Sequence, residues 1–355
     1  MNRCILIVLT TVALPCAATA TDIAGKSSPR WDLPMTANAE LPPHFQAIAL
    51  PRADGSTLSA YLVSPRGQSE PKRKPLFVFL QGSGAQSLFM RTPQGLGYGL
   101  GGAIAEQVSA QFHPILIEKR GIDFGFSVDT PGSGEGAPRE YTRHATLADR
   151  VADVRRVLDA MLRQRWVDPT QVVLAGHSEG ADVAAAVAAE DPRVTHVAYL
   201  GAGGACQFFD LLTLARRQMK AQGASSKEIH AAVEALQRDM RDVLAHPQAD
   251  DKLFQGHAYR RWSTFGMKPP VENLLKTRAR LFLAHGSEDQ AVPVEAFDYL
   301  VVELLRHRKP DVTIRRVPGG DHGFATPEQP DHLAALLGMI DEVCAWAQAN
   351  PPTSP

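Results

Sequence analysis

Cysteine is scarce in this chain. Four occur in 355 residues, Cys4 and Cys16 near the N-terminus and Cys206 and Cys344 on well-separated stretches. No disulfide framework is expected to brace the fold, and Cys206 and Cys344 read as buried, reduced thiols. Neither H-E-x-x-H nor paired C-x-x-C nor a P-loop occurs, so the sequence indicates no metal, no nucleotide and no cofactor. An excess of charge is missing as well: 37 Lys+Arg face 38 Asp+Glu, a formal net charge of −1. Nothing draws such a surface toward nucleic acid or an anionic membrane. No internal repeat is evident, and the apolar stretch from Cys4 to Leu14 is too short to cross a bilayer.

That stretch fits an export signal. Met1-Asn2-Arg3 before it is short and positive, and Ala18-Thr19-Ala20 after it is a small-residue cleavage site. Removal of residues 1–20 takes Arg3 away and leaves 36 Lys+Arg against 38 Asp+Glu, or −2. Ala13-Leu14-Pro15 ahead of Cys16 does not resemble a lipobox. The mature protein is expected in the periplasm or outside the cell.

What is present is enough apolar material for a large core, 44% of residues against 21% charged. Phe45–Leu50 and Thr57–Val63 read as a hairpin turned at Ala53-Asp54-Gly55. A helix near Gly101–Gln111, a strand at Pro114–Ile117, a helix at about Leu147–Gln164 and a strand at His196–Leu200 follow. Strands alternating with helices imply a doubly wound, mostly parallel α/β sheet covered on both faces. One domain over residues 45–350 is expected, behind an extension at 21–44.

The most informative stretch is Gly176-His177-Ser178-Glu179-Gly180. It sits directly behind the apolar run Val172–Ala175 and directly ahead of the helical run Ala181–Ala189, the context of a nucleophile elbow. A serine on so sharp a turn takes a strained backbone, and its flanking glycines give it room. The helix start behind it supplies N–H groups and a positive dipole end for a developing oxyanion.

Such a serine needs an acid and then a base further along the chain. Arg280–Gly286 reads as a buried strand, and Asp289 in its exit loop is the acid, with Glu288 as fallback. After a helix at about Val294–His307 and a strand at Val312–Val317, the loop Pro318–Phe324 carries His322, the base. Ser178 and Asp289 lie 111 residues apart and Asp289 and His322 lie 33 apart, room for the intervening elements. Asp321 adjoins the imidazole in sequence and so points elsewhere. A second oxyanion donor is expected after the apolar strand Pro75–Leu80, where Gln81-Gly82-Ser83-Gly84 lets the amide of Ser83, or that of Gly84, face the cleft beside the amide of Glu179.

With Glu118-Lys119-Arg120-Gly121, these motifs carry a resemblance spanning roughly residues 45–348. The chain resembles the α/β-hydrolase superfamily, near its secreted bacterial esterase and prolyl-oligopeptidase or dienelactone-hydrolase-like branch. The resemblance implies Ser178, Asp289 and His322 as triad and a helical lid inserted at about 206–275. Many relatives carry His where this chain has Gln81. Within the insertion Ile229, Val233, Leu236, Met240 and Val243 recur at helical spacing, while Arg238 and Arg241 read as solvated. Tyr259, Trp262 and Phe265 either line an acyl pocket or pack the insertion onto the body. The loop 123–140 follows a strand's carboxyl end and belongs near the cleft.

One competing motif is set aside. Gly97–Gly102 matches G-x-G-x-x-G with Glu118 about twenty residues on, but some sixteen residues separate it from the strand ending near Leu80 where a dinucleotide site needs a tight turn. The expectation is a serine hydrolase acting on the ester of a small-molecule acyl substrate. An amidase or peptidase, a thioesterase, or a non-catalytic binding protein on the same scaffold are the alternatives.

Overall fold

The computed structural model describes residues 33–65, 72–92, 95–130 and 132–351; the export signal expected at 1–20 lies outside them. The main sheet contains β1 (Met35–Thr36), β2 (Phe45–Pro51), β3 (Thr57–Val63), β4 (Lys74–Leu80), β5 (His113–Ile117), β6 (Val167–His177), β7 (His196–Leu200), β8 (Arg280–Gly286) and β9 (Val312–Val317), in the order β1-β2-β3-β5-β4-β6-β7-β8-β9. β1 to β3 form an antiparallel meander that also meets β5 antiparallel. Every pairing from β5 to β9 is parallel. After β4 the chain crosses first to one neighbour, β5, and then to the other, β6. Winding therefore reverses at β4, and the loops leaving β4 and β6 diverge around a crevice.

The helices are α1 (Leu100–Val108), α2 (Arg139–His144), α3 (Leu147–Met161), α4 (Glu179–Glu190), α5 (Gln207–Ala221), α6 (Ser226–Ala245), α7 (Tyr259–Phe265), α8 (Pro270–Lys276), α9 (Val294–Arg306) and α10 (His332–Ala349). Side chains alternate across each central strand, and both faces are apolar because helices cover both. On β4, Leu76, Val78 and Leu80 join a core with α3, α4 and α9, while Phe77 and Phe79 join a second core with α1 and α10. This is why Pro75–Leu80 reads as an unbroken apolar run.

β6 begins five residues ahead of its apolar stretch, at Val167. Pairing with β4 jumps from Pro75–Asp168 to Leu76–Val172, so Pro169 and its neighbours sit in an irregularity where no ladder donor is required. The sheet also starts ahead of residue 45, since Met35 and Thr36 pair with Ile48 and Ala47; two residues are too few to show an alternating pattern. The Gly97–Gly102 stretch lies partly in a small ribbon, Phe89–Thr92 against Gly95–Tyr98, and runs into α1.

Between β7 and β8 the chain inserts α5 to α8. A capping box at Ser225 and Glu228 starts α6. Its stripe Val233, Leu236, Met240 and Val243 is buried, while Arg238 and Arg241 are exposed. Phe208, Phe254 and Trp262 complete this satellite core. Full burial of a side chain such as Met240 or Val243 contributes about 1.5–3 kcal/mol, so the insertion is held by its own apolar contacts.

Candidate active site

Ser178 occupies the junction of β6 and α4 at φ 58° and ψ −130°. Holding a non-glycine residue at positive φ costs on the order of 1–3 kcal/mol. Two hydrogen bonds fix it there: its N–H donates to Leu200 O at 2.8 Å, and Ala181 N–H donates to its carbonyl at 2.9 Å. The glycines are obligatory. A Cβ on Gly180 would lie 1.9 Å from Leu80 O, and one on Gly176 would lie 2.2 Å from Gly180 O.

Asp289 follows β8 and is fully buried. Its Oδ1 accepts from the amides of Ala291 at 2.7 Å and Val292 at 2.9 Å, which fixes the carboxylate plane. Its Oδ2 lies 2.7 Å from His322 Nδ1. That bond makes Nδ1 the protonated nitrogen and leaves Nε2 with a free lone pair. Burial opposes charge on both groups, but their mutual attraction outweighs it: Asp289 titrates below its ordinary 3.8, and His322 above its ordinary 6.5. Glu288, the alternative acid, is exposed. Asp321 turns its own loop, accepting from Gly323 N and Ala325 N, both at 2.9 Å.

His177, which the motif gave no role, ties the two halves together. Its Nε2–H donates to the carbonyl of His322 at 2.7 Å, and the two rings lie 4.7 Å apart. Burial lowers its pKa to about 4, so it stays neutral and keeps this bond across the physiological range. The residue before the nucleophile thus anchors the base's loop.

The loop after β4 passes beside the serine: a Cβ on Gly82 would lie 3.2 Å from Ser178 Cβ. Lys119, at the end of β5, donates from Nζ to the carbonyls of Gly82 and Gly84, each at 2.6 Å. In a planar trans peptide the following N–H points opposite the carbonyl. Anchoring Gly82 O on Lys119 therefore turns the Ser83 amide away from Lys119. Gly84 sits at φ +94° with Gly132 so near that a Cβ would approach its Cα to 2.7 Å. Gln81 offers its main-chain carbonyl to Arg150 Nη2 at 2.7 Å, while its side-chain Nε2 is buried without a partner.

Ser178, Ser83 and Glu179 border one cavity of about 110 Å³. Thr130, Gly132 and Ser133 contribute from the loop after β5, and Leu211 and Trp262 from the insertion. Phe265 and Tyr259 are not among its described walls; Phe265 is buried in the main core, and Tyr259 donates its hydroxyl to Asp242 at 2.9 Å. His322 also lies outside those walls.

Beneath the cavity runs a charged network the sequence did not reveal. Glu179 accepts from Arg150 Nη1 at 2.7 Å and from Arg261 Nε at 2.8 Å, with a further bond from Arg261 Nη2. Burial would raise this carboxylate, but Arg261 and Arg150 hold it down at about 2. Arg261 Nη2 also reaches Gln207 Oε1 at 2.6 Å, and Gln207 Nε2 donates to Asp182 Oδ2 at 2.9 Å. Tyr199 closes the chain, donating to Asp182 Oδ1 at 2.8 Å. These partners lie up to 82 residues apart, and no local pattern encodes such pairing.

A sequence profile of the alpha/beta hydrolase family matches residues 118–336, and the chain belongs to that family of hydrolytic enzymes. No curated protein matches it. Among solved structures, it is similar to Est1E from Butyrivibrio proteoclasticus, with TM-score 0.51 and 15% identity over 86% of this chain and 99% of that one. A puromycin-hydrolyzing peptidase from Mycobacterium tuberculosis gives TM-score 0.53 and 16% identity, over 88% of this chain and 40% of that chain. The acylaminoacyl peptidase of Pyrococcus horikoshii gives 0.55 and 13%, over 88% and 43%. The chain thus spans less than half the length of these two peptidases, and at such identities the likeness is one of fold. No described helix is long and apolar enough to cross a membrane, and Cys206 and Cys344 are both free.

Proposed function

We propose that this protein is an exported serine hydrolase that cleaves carboxylic esters through an acyl-enzyme on Ser178. The observation that carries the reading is the Asp289–His322 pair: a sealed carboxylate 2.7 Å from an imidazole whose loop is anchored to the residue preceding Ser178. His322 Nε2 takes the proton from Ser178 Oγ as it attacks the acyl carbon. Asp289 fixes the tautomer and stabilises the imidazolium. The amides of Ser83 and Glu179 hold the oxyanion. His322 then passes its proton to the departing alcohol, activates a water, and the acyl-enzyme is released as acid. The inserted helices α5 and α7 serve as the lid that gives the acyl pocket its far wall. A short-chain p-nitrophenyl ester tests this: wild-type protein should release a burst of nitrophenol equal to its own concentration. Ser178→Ala should abolish both burst and turnover; an undiminished burst would refute the assignment.

A further inference from the structure

The cavity beside Ser178 has one acid that nothing answers. The network of Arg150, Glu179, Arg261 and Asp182 answers its own acids: Glu179 accepts from Arg150 and Arg261, and Asp182 accepts from Tyr199 and Gln207. Asp210, in the first turn of α5, stands outside it. Its side chain is 7% exposed and borders the cavity, and its Oδ1 is buried without a hydrogen-bond partner. Burial raises its pKa well above the ordinary carboxylate range, and Asp182 and Asp289 push the same way. A native protein seldom leaves a buried carboxyl unpaired, because isolated burial costs several kcal/mol, and such a group at a site wall signals an occupant. Arg261 Nη1 also lacks a partner, but Glu179 already meets its charge. The occupant that answers Asp210 therefore brings donors and positive charge together.

The side of the scissile bond follows from His322. The base must return its proton to the leaving group, so the alcohol lies on the side of His322. The described walls of the cavity include Ser178, Ser83 and Glu179 but not His322, which places the cavity on the acyl side. Its volume of about 110 Å³ is enough for a short chain. Resting on the serine-hydrolase reading above, we infer that the preferred substrates are esters whose short acyl chain carries a primary ammonium, bound by Asp210.

The test pairs ethyl esters of ω-amino acids, from glycine to 5-aminopentanoate, with ethyl esters of the isosteric fatty acids, from propionate to hexanoate. At the best chain length, the kcat/KM ratio of amino to plain ester should fall at least about tenfold in Asp210→Asn, as expected when a desolvated charge pair loses one member. Comparing variant with wild type cancels the ammonium's intrinsic effect on ester reactivity. In wild type alone, butylammonium should slow labelling of Ser178 by a fluorophosphonate, and butanol at the same concentration should not; this arm stands even where the variant misfolds. An unchanged ratio at every length, or equal protection by both additives, overturns the inference. Labelling at Ser178 without turnover of either series also overturns it while sparing the nucleophile, whereas absence of labelling removes the hydrolase reading itself.

Discussion

Asp289 is sealed from water while His322 is only half-buried, and that asymmetry fixes what each residue contributes. His322→Ala should lower kcat by several orders of magnitude, and it should also lower Tm, because it leaves the buried Asp289 carboxylate without its charged partner. Activity on a short aryl ester surviving within about tenfold would remove His322 from the base role. Asp289→Asn should cost far more than Glu288→Gln, since the exposed Glu288 touches no imidazole; equal losses would contradict the geometry.

The charge pair also sets pH dependence. The base works when neutral, and Asp289 holds its pKa above 6.5, so the acidic limb of kcat/KM should have its midpoint above that value. In Asp289→Asn the residual activity should show the limb moved to lower pH. For stability the signs differ by group. His322, raised, contributes fully below its ordinary pKa and loses this as pH rises through the folded value; Asp289, lowered, contributes above 3.8 and loses this as pH falls through its folded value. The wild-type advantage in Tm over Asp289→Asn should therefore be greatest between those limits.

Ser178, Asp289 and His322 were legible as candidates because each lies just past the carboxyl end of a strand, the first two after buried apolar runs and His322 after the more exposed β9, in a fixed chain order. Lys119, Arg150, Asp210 and Arg261 were not. Their partners are brought near by the winding of the sheet and the folding back of the insertion, and a lone Arg on a short helix such as α7 looks like any solvated charge.

At the scale of elements, the loop after β4 depends on its neighbour β5. Lys119→Met would leave the carbonyls of Gly82 and Gly84 without their donor and free the Ser83 amide to rotate. We expect kcat to fall by roughly 10–100-fold with KM little changed, since an oxyanion donor acts mainly in the transition state. Loss of Tm alone, at full kcat, would reduce Lys119 to a structural prop. The insertion separates two aromatics that the sequence could not. Trp262 borders the cavity and Phe265 does not, so Trp262→Ala should shift the preferred acyl length, whereas Phe265→Ala should lower Tm and depress all lengths alike. Measuring kcat/KM over an acyl ladder with each variant decides this. Sequence periodicity located α6 because that helix buries a regular stripe, but not α5, α7 or α8 around it; it also missed the early start of β6, where Asp168-Pro169-Thr170-Gln171 breaks the apolar pattern at a register shift.

At the scale of the molecule, the sheet order and the family membership place Ser178 at the crevice where winding reverses. The unbroken apolar runs of β4, β6 and β8 made this architecture readable, because strands covered on both faces are apolar on both. What the whole arrangement claims is that the elbow serine is a nucleophile and not a scaffold residue. Treating the folded protein with a fluorophosphonate and mapping the adduct by peptide mass spectrometry tests that claim directly. A single stoichiometric adduct should form on Ser178, and far more slowly in His322→Ala; folded wild-type protein that stays unlabelled, or is labelled at another serine, would show that Ser178 is not the nucleophile.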